Sequence, residues 1–197
     1  MIDHWIRLGN ILGKPIIPVT SGRSLGGIIR AENILPNWRM RWCTRRLKLE
    51  PFQRYLMDHL PATLYVGIRA DELDRQGADY DMSLLVSTRF PFQEWGWGIS
   101  DVLKFLIKKG IDIPVRTDCG SCFFQTLWEW YRVWLEWPER WALYEQWELS
   151  TGHTLRSDQR DTWPAGLSGL RQRFEAGDVP KKRTMAERPS MCTVCAR

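Results

Sequence analysis

ATLYVGIRADE, residues 62–72, decides how this chain is to be read. Thr63, Leu64, Tyr65 and Val66 are β-branched, aliphatic and aromatic types that suit a pleated strand, and Gly67 ends the run. Directly after it the chain releases Arg69, Asp71 and Glu72, with Arg75 close behind. A strand that ends in a charged loop sets those groups at the carboxyl edge of a sheet, where open α/β folds bind ligands. Arg69 is the candidate for a bidentate grip on an anion, with Glu72 and Arg75 beside it. The competing reading is a polar loop whose charges pair among themselves.

Working outward, residues 3–12 have helical spacing, and KPIIPVT (residues 14–20) reads as a short buried strand bounded by Gly13 and Ser21-Gly22. GRSLGGIIRAENILPNWR, with Gly22, Gly26, Gly27 and Pro36 as breakers, reads as a loop. Residues 44–60 carry an apolar helical face of Leu47, Phe52, Tyr55 and Leu56, which Pro51 restarts or kinks. MSLLVST is a third strand candidate, and Ser100 is placed to cap a helix over 101–109 that Gly110 stops. Helices over 124–136 and 139–149 flank Pro138. Trp130, Trp134, Trp137 and Trp141 fall on one stripe that reads as core. No internal repeat is evident.

Alternating strands and helices predict an α/β fold with a partial, doubly wound, mainly parallel sheet and a helical C-terminal part. The expected division is an α/β domain over 1–150, followed by a helical extension and a basic, cysteine-containing tail over 151–197.

The net charge of +5 and pI of about 9.1 favour an anionic partner: a nucleotide, sulfate, phosphate or nucleic acid. The runs WRMRWCTRRLK and KKR concentrate that charge. No stretch reaches the ~18 uncharged apolar residues of a membrane span, and the N-terminus lacks the apolar run of a secretory signal. The expectation is therefore a cytoplasmic protein with no membrane partner. In a reducing compartment, paired cysteines serve metals or redox chemistry more often than structural disulfides.

Two such pairs are present: Cys119 and Cys122 in CGSC, and Cys192 and Cys195 in CTVC. A C-x-x-C turn lets both thiolates reach one metal, and a following helix N-terminus favours the thiolate form. Two pairs permit a four-thiolate site for zinc or an iron-sulfur cluster. Cys43 stands beside Arg41, Arg45, Arg46 and Lys48, a positive setting that suits a metal ligand or nucleophile; the other reading is a buried, inert thiol. His4, His59 and His153 show no ligand spacing. TSGRSLGG is loop-like but lacks the GK[ST] ending of a phosphate loop.

Four segments in order, RWCTRRLKLEPF, YVGIRADELDR, GWGISDVLKFLIKKGI and DCGSCFFQ, resemble the phosphoadenosine phosphosulfate reductase family of the adenine nucleotide alpha hydrolase-like superfamily, in the form often found in phages. The resemblance runs from about residue 11 to residue 149 and implies an α/β protein that binds an adenine nucleotide or sulfonucleotide. It implies a sulfonucleotide reductase-like or ATP-dependent sulfurtransferase-like activity, with a thiol electron donor or sulfur acceptor as partner. It also implies a 4Fe-4S cluster on Cys43, Cys119 and Cys122, with Cys195 favoured over Cys192 as fourth ligand or one iron left open, and Lys48 facing the anion; Arg45 in the same basic run is a further anion candidate. The family's paired cysteines are here Trp42-Cys43. Its SGGxDS loop and its Glu-Cys-Gly-Leu-His ending are not found, so the chain matches the second half of the fold. The alternative is a zinc-stabilised module whose basic runs meet nucleic acid.

Overall fold

The structure is a computed structural model describing residues 2–73, 75, 85–113, 119–158 and 161–182, with residues 2–4 as backbone only. These fall into two compact units: residues 2–19 with 51–113, and residues 20–50 with 119–182.

In the first unit, α1 covers Ile2–Leu12, and β1 (Ala62–Tyr65) pairs in parallel with β2 (Val86–Arg89), Ala62 opposite Val86 and Tyr65 opposite Arg89. Ala62 and Leu64 turn to the covered face and Thr63 and Tyr65 to the open one, the period-two alternation of a half-buried strand. Thr63 Oγ1 and Ser87 Oγ, 2.9 Å apart, tie the open face across the pair. The chain is thus mixed α/β with a parallel sheet, and among the described residues that sheet has two strands.

The strand expected at 14–20 does not form. Its residues join no ladder, with Ile16 and Ile17 42% and 58% exposed, and Pro15 and Pro18 remove two amides that a ladder needs. Part of MSLLVST lies outside the described residues; the strand that forms begins later, at Val86.

The helix expected over 44–60 is a composite. A three-residue α3 (Trp42–Thr44) passes through a π turn (Arg45–Leu49) into α4 (Glu50–Met57). Pro51 has no amide to donate and its ring crowds the carbonyl four residues back. The chain widens ahead of it, and the closing bond runs from the Glu50 N–H to the Arg45 carbonyl. A short α5 (Pro91–Glu94) precedes α6 (Ile99–Lys108). Ser100 is not the cap of α6. Gly98 is, in extended backbone, and the Asp101 carboxylate accepts its amide at 3.1 Å.

The second unit is helical. The loop expected around Gly26 and Gly27 instead forms α2 (Leu25–Glu32), capped by Ser24 Oγ accepting the Gly27 amide at 3.0 Å and closed by Asn33 at φ 52°. Gly26 is a close-approach residue rather than a breaker: a Cβ there would lie 2.7 Å from Trp147.

Thr126 and Glu129 cap α7 (Leu127–Glu136) reciprocally, which delays its start past Phe124. Pro138 opens α8 (Pro138–Thr151) at its first position, where a missing amide costs nothing. Trp130, Trp141, Tyr144 and Trp147 join Ile28, Ile29, Trp42, Leu170 and Phe174 in one core. Trp130 and Trp141 meet edge to face at 6.1 Å and 83°, a geometry worth about 0.5–1.5 kcal/mol beyond burial. Trp134 packs on the same core, but Trp137 leaves the stripe because it sits at the non-helical junction of α7 and α8.

The last helix, α9 (Leu167–Glu175), packs on α8, and Glu148 ties the two: its carboxylate accepts the amides of Leu155 at 2.8 Å and Leu167 at 2.7 Å. Arg156, fully buried, binds both Asp161 oxygens at 2.8 and 3.0 Å.

Candidate metal and anion site

Cys43, Cys119 and Cys122 all lie in the helical unit, and none is in a disulfide. Trp42 turns into the core, which leaves the neighbouring Cys43 half-buried at its edge. Burial pushes the Cys43 thiol up, hydrogen bonds from Thr44 oppose this, the charge of Cys119 raises it further and that of Lys48 lowers it. Cys43 therefore stands within electrostatic reach of Lys48, and also of Cys119, which is far away in sequence.

In an ordinary helix of about 100° per residue, Lys48 would lie about 140° round from Cys43. A turn closed by i→i+5 bonds draws residues five apart toward one side. The Lys48 charge is felt at Cys43, which precedes the π turn. Lys48 is exposed, and Arg45 beside it makes only a long, exposed contact of 3.5 Å with Glu50. Arg46 is held instead by Glu32 at 2.5 Å, and that guanidinium keeps the Glu32 carboxyl below its usual range.

The CGSC loop is held from two sides. The Cys122 amide donates to the Cys119 carbonyl at 2.9 Å, and the Gln125 amide to the Cys122 carbonyl at 2.9 Å. The buried Gln125 side chain donates to the Gly120 and Cys119 carbonyls. Tyr144 closes the other side: a Cβ on residue 120 would lie 2.7 Å from its hydroxyl, so any larger residue there must push the Tyr144 hydroxyl aside. Burial raises the Tyr144 phenol, Arg140 lowers it and the charge of Cys119 raises it again. Neither Gln125 nor Tyr144 was identifiable from sequence. Gln125 sits three residues after Cys122, but nothing local links Tyr144 to the loop.

The donor set fits a thiophilic metal. A charge on Cys119 raises the Cys43 thiol, and a cation bound between the two would reverse that sign. Among the described residues, no three His, Cys, Asp or Glu side chains already form a metal-binding group. Cys192 and Cys195, the expected sources of a fourth ligand, lie outside the described residues.

The remaining anion candidates are in the other unit, after β1. Arg69 Nε donates to Asp71 at 2.8 Å, and its amide donates to the Glu72 carboxylate at 3.1 Å. Arg75 donates to Glu72 at 2.8 Å, so Glu72 is clamped between two guanidiniums in a buried position. Burial would raise the Asp71 carboxyl, but the Ile99 amide and Arg69 together hold it below its ordinary value. An anion at Arg69 must therefore compete with two carboxylates already in place. The cluster also anchors α6, because Asp71 accepts the Ile99 amide at 3.1 Å.

No family model, curated protein or solved structure matches the chain. Among the described residues no helix is long and apolar enough to cross a membrane.

Proposed function

We propose that this chain is a phosphoadenosine phosphosulfate reductase-like protein whose helical unit holds a 4Fe-4S cluster on Cys43, Cys119 and Cys122, with Cys195 as the fourth ligand, beside an anion subsite made by Lys48 and Arg45. The observation that supports this reading is that Cys43 feels the charges of Lys48, five residues on, and of Cys119, far away in sequence. A doubly wound sheet completed beyond the two described strands belongs to the same proposal, as do a cytoplasmic setting and a thiol electron donor or sulfur acceptor. The substrate class is an adenine nucleotide or sulfonucleotide, and the reaction class is oxidoreduction or sulfur transfer.

In this reading each residue has a defined task. Lys48 supplies an ammonium to the sulfate or phosphate oxygens, and Arg45 a guanidinium that gives up only a weak surface contact. Gln125 and Tyr144 hold the CGSC turn so that its thiols need little rearrangement on binding. When bound, the cluster supplies local charge and fastens thiols from distant parts of the chain. Arg69, Glu72 and Arg75 hold the carboxyl end of β1 and offer a second anion contact if Asp71 and Glu72 yield.

The test is anaerobic purification with iron, sulfide and zinc analysis, followed by calorimetry with ATP and with an adenylated sulfate. Brown protein with about four iron atoms, as expected of such a cluster, loses its metal in Cys119→Ala and in Cys43→Ala. Nucleotide binding weakens in Lys48→Gln. Colourless protein with stoichiometric zinc would replace the cluster with a structural metal, and full metal retention in Cys43→Ala would refute the site.

A further inference from the structure

In the first unit, four aromatic side chains form a continuous array between β2 and α6. Phe92 and Trp97 stack at 6.0 Å and 7°, Trp95 meets Trp97 edge-on at 5.4 Å, and Trp97 tilts against Phe105 at 5.6 Å. The array does not end inside a core: Trp95 is 58% and Phe105 41% exposed. Large aromatic rings gain most from burial, so an array that leaves two rings in water is poorly explained by folding alone.

Around Phe105 stand three lysines. Lys104 and Lys108 are one helical turn apart, Phe105 lies about 60° round the helix from Lys108, and Lys109 Nζ sits 5.9 Å from the Phe105 ring. All three are exposed, and no ion pair among the described residues engages any of them. The dipole of α6 accounts for cations at Lys108 and Lys109. It does not account for Lys104 in mid-helix, where a like charge four residues on is destabilising. The nearby acids are occupied elsewhere: Asp101 caps α6 through Gly98, and Asp112 pairs with Arg7.

Exposed rings beside unneutralised ammonium groups match a ligand that carries flat π faces and regularly spaced negative charge. We infer that the Trp95–Phe105 face with Lys104, Lys108 and Lys109 binds single-stranded nucleic acid, bases stacking on Trp95 and Phe105 while the lysines meet phosphates. Duplexes are excluded because their bases are not free to stack on a side chain. The site is separate from the thiol cluster and does not depend on a metal.

Fluorescence anisotropy of labelled oligothymidylate and oligouridylate against the full chain tests this, with a duplex of equal length alongside. Three phosphate contacts at a slope of about −0.7 each for single strands predict about a 20-fold loss of affinity between 50 and 200 mM salt. The triple variant Lys104→Gln/Lys108→Gln/Lys109→Gln flattens that dependence by about 2 in log–log slope. Trp95→Leu weakens binding about 5- to 150-fold, the range for one stacked base, and leaves the slope unchanged. Circular dichroism checks that these surface variants fold. The relative affinities for the two oligonucleotides tell DNA from RNA. Absence of binding by the wild-type chain at 50 mM salt, unchanged binding by the triple variant, or a preference for the duplex overturns the inference. So does co-sedimentation with phosphatidylglycerol vesicles without oligonucleotide binding, which would assign the face to a lipid surface.

Discussion

Glu148 offers the sharpest quantitative test of how the helical unit is held. Its carboxylate is buried on α8 and accepts amides from Leu155 and from Leu167 at the start of α9. Burial pushes its carboxyl up to about 6, against the pull of those two amides; the charge of Glu145 adds to the rise, and that of Arg156 opposes it. A folded value above the unfolded one means that the protonated group favours the folded state. Its contribution is full below about pH 4.5 and is lost as pH rises through about 6. The difference amounts to about 2 kcal/mol between pH 4.5 and pH 7.

Other carboxyls titrate over the same interval, and Asp71 and Glu32 run the opposite way. The readout is therefore the difference in unfolding free energy between the wild type and Glu148→Gln, which removes this titration alone. Urea unfolding at several pH values should show the wild type's advantage shrinking by about 2 kcal/mol from pH 4.5 to pH 7, roughly 4–8 °C in Tm for a chain of this size. A flat difference, or one that grows with pH, would mean that the two amides outweigh burial and would refute the reasoning.

Two further outcomes follow from steric contacts. Gly26→Ala should destabilise the chain by about 1–3 kcal/mol in urea unfolding, despite alanine's better helix propensity, because the new methyl meets Trp147 at 2.7 Å. A neutral or stabilised variant would show that Trp147 can withdraw. Gly120→Ala should disturb the CGSC turn and lower metal content, and adding Tyr144→Phe should restore much of it by removing the hydroxyl that the methyl strikes. Equal metal content in Gly120→Ala and the wild type would separate Tyr144 from the site.

Local chemistry made several features readable before any coordinates. The alternation in ATLY and the charges after it located β1 and its polar loop, and the tryptophan spacing located α7 and α8. The internal pairing of Arg69, Asp71, Glu72 and Arg75 was the plainer of two readings available for that loop, and it is the arrangement found. Other readings failed where tertiary contacts outweighed local preference. Gly26 and Gly27 read as breakers, yet α2 forms between its Ser24 and Asn33 caps, and Gly26 is small where Trp147 packs close. The KPIIPVT run has strand composition, but a strand also needs a partner and donors, and its prolines withhold two of them.

What the sequence determined by itself is what depends on neighbours within a turn or two: strand alternation, helix periodicity and the C-x-x-C turn. What only the tertiary structure decided is which distant groups meet. Tyr144 lies against Gly120, Glu148 reaches Leu167, and Cys43 comes within electrostatic reach of Cys119. Short-range preferences act through backbone geometry that each residue carries with it. Long-range pairings depend instead on how one aromatic core fills its volume, and no single segment encodes that packing.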